Sequence, residues 1–113
     1  MTANQVSKWE KKRTDESRMV EGLLRGAGFE RVDAYRYNSA SLRVRVIDKR
    51  FESIPRDERD QIVEPVIDKL PPSTQSDIVS LVLLAPSEFD QPSDTLREFM
   101  LNTEFENPSP SML

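Results

Sequence analysis

The 113-residue sequence predicts an α+β fold of order α-β-β-α-β-α, a three-stranded mixed sheet with helices packed on one face. Three observations predict it. Met19, Val20, Leu23, Leu24 and Ala27 recur at helical spacing, and so do Ile62, Val63, Val66, Ile67 and Leu70. Between them, "SLRVRVID" alternates with a period of two. Beyond them, "DIVSLVLLA" is an apolar, branched run of strand length between proline-marked loops.

Each element follows from local chemistry. Residues 1–13 are largely polar and read as a flexible arm. In it Val6 and Trp9 share a helical face, and the lone tryptophan is expected to pack back onto the domain. The first helix spans about Asp15–Ala27. Thr14 or Asp15 caps it, the acidic first turn suits the helix dipole, and Gly26 or Gly28 supplies a left-handed stop. "FERVDAYRY" then makes a strand, "NSAS" a turn and "SLRVRVID" its hairpin partner. Leu42, Val44 and Val46 are expected on the buried face, Arg43 and Arg45 on the wet one.

Phe51 is expected in the core. Ser53 and Pro55 start the second helix, where a proline costs no hydrogen bond, and Pro65 should kink it or end its ladder near Glu64. "PPSTQS" reads as a loop and Ile78–Leu84 as a central strand. Ser93 caps a last helix ending near Asn102, with Leu96, Phe99 and Met100 inward. The domain is expected at 14–102, followed by a polar tail at 103–113.

Composition excludes several chemistries. The chain has neither cysteine nor histidine, so disulfides, thiolate catalysis and the usual zinc and iron–sulfur ligands are absent. No loop has the spacing of a calcium-binding hand, and neither a metal nor another cofactor is expected. No signal-peptide core is visible, and the longest apolar run, Ile78–Ala85, is too short to span a bilayer. A cytoplasmic protein with no membrane contact is expected. The net charge of −4 hides a split. Residues 1–50 carry 12 Lys and Arg against 7 Asp and Glu, a balance of +5. Residues 51–113 carry 4 against 13, a balance of −9.

One stretch, "VIDKRFESIPRDERDQIV", resembles the BolA family, whose fold is related to the KH domain of the second type. In that pattern a strand ends in Ser-Asp, Phe-x-Gly follows, and Arg-His-Arg opens the second helix. Asp48, Phe51 and Arg59 match, Ser53 stands at the glycine, and Asp60 and Gln61 replace His-Arg. Further on, "SDIVSLVLLAPSEF" matches at Pro86 and Glu88, with Phe89 for tryptophan and Asp77 for the strand histidine. The resemblance covers about Ser17–Phe89 and implies the fold. It does not imply the family's iron–sulfur cluster shared with a monothiol glutaredoxin. Asp77 replaces one ligand, and "NSAS" offers no second.

Three function classes compete. A protein-interaction adaptor, a monomer or weak dimer with an unknown partner, leads. Its expected partner-binding residues are Arg43 and Arg45 on the strand face, with Arg56 and Arg59 at the second helix. The alternative is a KH-like nucleic-acid module using the same strand face, with Tyr35 and Tyr37 for stacking. The acidic pI of about 4.9, and the lack of a Gly-x-x-Gly loop between helices, weigh against more than weak binding. An enzyme is not expected. There is no histidine base, nucleophile elbow or phosphate loop, and carboxylates such as Asp57, Glu58 and Asp60 read as a solvated helix turn.

Overall fold

The computed structural model describes residues 8–90 and 96–111. After a short 3-10 turn at Glu10–Lys12 come helix α1 (Asp15–Gly26), strand β1 (Arg31–Asn38) and strand β2 (Ser41–Ile47). A 3-10 turn at Lys49–Phe51 leads to α2 (Arg56–Ile67) and α3 (Pro72–Asp77). Strand β3 (Ile78–Leu84), α4 (Pro86–Asp90) and α5 (Leu96–Glu106) complete the order. Among the described residues the strands form one three-stranded sheet, β1-β2-β3, with β1 antiparallel and β3 parallel to β2. The α+β class, the mixed sheet and the broad element order are those expected from sequence.

α1 forms as its residues dictate. The Thr14 hydroxyl accepts the Ser17 N–H at 3.1 Å while the Ser17 hydroxyl accepts the Thr14 N–H at 2.9 Å, a reciprocal cap. Gly28, at φ 98°, takes the left-handed turn that ends the helix. One face of the sheet presents Val32, Ala34, Val44, Val46 and Leu83. Val20 and Leu24 of α1, Val63 of α2, and Phe29 and Phe51 close over it as the main core.

Strand alternation sends Tyr35, Arg43, Arg45, Ile47, Val82 and Leu84 to the other face. That face is also covered, which corrects the one-sided packing. α5 crosses it, seating Phe105 against Tyr35 and Trp9, while Leu101 and Phe89 pack on Ile47, Val82 and Leu84. Phe105 and Leu101, four residues apart, turn inward, whereas Phe99 and Met100 are exposed, opposite to expectation. The helix therefore runs on to Glu106, past the expected boundary at 102, and its buried Phe105 belongs to the domain. The tail also returns: the Tyr37 hydroxyl donates to the Ser109 carbonyl at 2.7 Å. Trp9 is buried, so the domain begins inside the expected arm.

Other expectations change too. β3 lies at the sheet edge and β2 in the centre. The run "PPSTQS" contains α3, with Pro72 at its first turn, where a proline fits. α2 continues through Pro65 to Ile67. The proline removes only the donor to the Gln61 carbonyl, on a residue exposed to water. Ser53 does not cap α2, whose N-cap is Pro55 without a side-chain bond. The Val6–Trp9 pairing, the Ser93 cap and the last two residues of "PSML" fall outside the described residues.

Candidate functional site

The four arginines expected to meet a partner occupy very different environments. Arg45 is fully buried. Its guanidinium donates to Asp33 at 2.7 Å, to Asn102 at 2.8 Å and to Glu106 of α5. The rings of Phe105, Phe89 and Trp9 surround it at 4.6, 5.2 and 5.7 Å. Arg43 lies 3.6 Å over the Tyr37 ring and donates to the Tyr35 hydroxyl at 3.2 Å and to Glu104 at 2.9 Å. Burial opposes its charge, but the bonds to Tyr35 and Glu104 outweigh it and hold its pKa above the ordinary value. Burial also pushes the Tyr35 phenol up. The strand face expected to be wet is thus closed by acidic groups of α5.

Arg59 is buried as well, which corrects its expected exposure. Its Nε donates to the Ile54 carbonyl at 2.9 Å and Nη1 to the Leu83 carbonyl at 3.0 Å. Both terminal nitrogens grip Glu88, at 2.6 and 2.9 Å. The Arg59 bonds, together with the Ala85 N–H, hold the Glu88 carboxyl below its usual range. The other positions that carried the sequence resemblance have structural work too. Asp48 accepts the N–H groups of Arg50 and Glu30, both at 2.8 Å, and Phe51 stacks near Phe29 with ring centroids 6.2 Å apart. Asp77 pairs with Arg36 at 2.8 Å.

No protein-family profile, curated protein or solved structure matches this chain. The functional reading therefore rests on geometry.

Sheet edges expose unpaired backbone, and helices here plug both of them in part. On β1, Glu21 accepts the Ala34 N–H at 2.8 Å and Arg25 donates to the Val32 carbonyl at 2.8 Å. On β3, Arg59 covers the outward Leu83 carbonyl, while the Leu84 carbonyl turns inward to the Asp48 N–H at 3.0 Å. Alternation points the Leu81 backbone outward too, and among the described residues no side chain caps it. Two residues before it, the strand pairing skips Val79, which is 64% exposed. Beside this stretch lies a cleft of about 240 Å³. Leu81, Leu83 and Leu101 line it together with Arg56, Asp57 and Asp60.

Arg56 is thus the expected partner residue that lines this cleft. Sequence reasoning missed Val79, Leu81 and Leu101, because nothing local tells an edge strand from a central one. The cleft offers apolar contact, charge of both signs and strand backbone. Among the described residues, no three Asp or Glu side chains gather as a metal ion requires.

Proposed function

We propose that the protein is a small, non-catalytic, cytoplasmic adaptor of BolA-like fold, a monomer or weak dimer, which docks a protein partner at the β3 edge. The observation that carries this reading is the Leu81 backbone, uncapped among the described residues, with exposed Val79, beside the cleft lined by Arg56, Asp57 and Asp60. An extended peptide of the partner adds to β3 through main-chain hydrogen bonds and places an apolar side chain on Leu81, Leu83 and Leu101. Arg56 and the two aspartates select the charges that flank it. Among the described residues no helix is long and apolar enough to cross a membrane, which suits a partner met in solution.

The test is capture from the native extract by the full chain and by its Val79→Lys/Asp60→Lys variant. Both changes lie at exposed positions, so circular dichroism and Tm are expected to match. Proteins held by the wild type and released by the variant support the reading. Equal capture by both overturns it.

A further inference from the structure

We propose that the sheet face bearing Tyr35, Arg43 and Arg45 is a binding site for an acidic helix of a partner protein, and that α5 is its resident occupant. The two sites share α5, whose Leu101 lines the β3-edge cleft, but this one is argued from different contacts. The seat shows what fits it. Within Asn102–Glu106, the pattern Asn-x-Glu-Phe-Glu sends Asn102 and Glu106 to Arg45, Glu104 to Arg43, and Phe105 into the cage of Trp9 and Tyr35. The Phe105 carbonyl accepts the Tyr35 hydroxyl at 3.0 Å.

Part of the seat is built by residues outside α5. Arg45 keeps Asp33 and the rings of Trp9 and Phe89, and Arg43 keeps the Tyr35 hydroxyl and the Tyr37 ring. These contacts preorganise part of the seat for an incoming helix. The hold of α5 combines buried and water-exposed contacts. Phe105 is buried, but the side chains of Glu104 and Glu106 are 38% and 37% exposed, where water and salt compete for their ion pairs. A tethered occupant acts at an effective concentration of roughly millimolar. A partner helix gains access only when it binds more tightly or when the tethered contact is loosened.

Trp9, the one tryptophan of the chain, reports on the seat, since its ring centroid lies 5.3 Å from that of Phe105. The experiment uses the full chain with Glu104→Lys/Glu106→Lys, which loosens α5 without opening a cavity. Its Trp9 emission is expected to shift to the red. A synthetic peptide of residues 96–111 should reverse the shift and bind this variant about ten-fold or more tightly than it binds the wild type. Adding Arg43→Glu should abolish that binding. A second variant, Phe105→Leu, loosens the contact while keeping most of the volume, and serves if the lysine pair unfolds. Equal peptide binding by wild type and variants overturns the proposal. So does binding of a single-stranded oligonucleotide, but not the peptide, by the loosened chain.

Discussion

At the scale of single residues, the difference between Phe51 and Arg59 shows what a sequence can disclose. Phe51 is fully buried, as its place at the end of an alternating strand suggests. Arg59 reads as a surface charge because its partner Glu88 lies 29 residues away, and no local pattern announces the pair. Ser53 is another silent case. It stands at φ 65°, a conformation that glycine adopts without strain and other residues adopt at a cost of roughly 1–2 kcal/mol. Burial gives Arg59 an energetic role as well. Phe51→Ala should cost about 3–5 kcal/mol, as large-to-small core changes do. Arg59→Ala should cost about 2–4 kcal/mol, because it leaves the Leu83 carbonyl and a partly buried Glu88 without their donor. Arg56→Ala, at the cleft, should stay within about 1 kcal/mol. Urea denaturation of the three variants checks the order, and a neutral Arg59→Ala would refute the clamp.

At the scale of elements, legibility follows how local the causes are. α1 carries its cap, stripe and stop within a few residues, so its sequence shows nearly all of it. α3 is hidden in a proline-rich run, since two adjacent prolines mark a loop and the start of a helix equally well. β3 is misread as central because Val82, Leu83 and Leu84 are buried on both faces whichever strand lies beyond them. In the short α4, Glu88 ties the helix to α2. That contact carries a pH dependence. The folded pKa of Glu88 lies below its ordinary value, first through Arg59. A depressed carboxyl contributes stability that is fully present above its unfolded pKa, roughly 4.3, and lost as pH falls through the folded value. The chain has no histidine, so its stability should be nearly flat from about pH 5.5 to 8. Below about pH 4.5 it should fall, and Glu88→Gln should begin less stable but fall less steeply. Urea midpoints between pH 7 and 3 measure this, and an unchanged slope in the variant would contradict it.

At the scale of the whole molecule, the opposite charge of the two halves is partly consumed inside the fold. Arg36 with Asp77, Arg43 with Glu104 and Arg45 with Glu106 each join the basic half to the acidic half. Counting charges along the chain shows the imbalance but not its destination, which is why the basic strand face looked available. The candidate cleft was legible only at Arg56. Its other walls come from an edge strand and a helix face that meet through topology. The seating of Phe105 has a further consequence, in time. Its bond from Tyr35 closes a separation of 70 residues, and Trp9 lies farther still. Contacts so distant are slow to find, whereas the β1–β2 hairpin and α1 are local. The second face should therefore close after the rate-limiting barrier has been crossed. Phe105→Ala should hasten unfolding several-fold and leave the folding rate almost unchanged, as stopped-flow denaturant jumps would reveal. A mutant that slowed folding instead would place the last helix in the nucleus. If unfolding alone quickens, the lifetime of the native state is set by a helix that takes no part in building it.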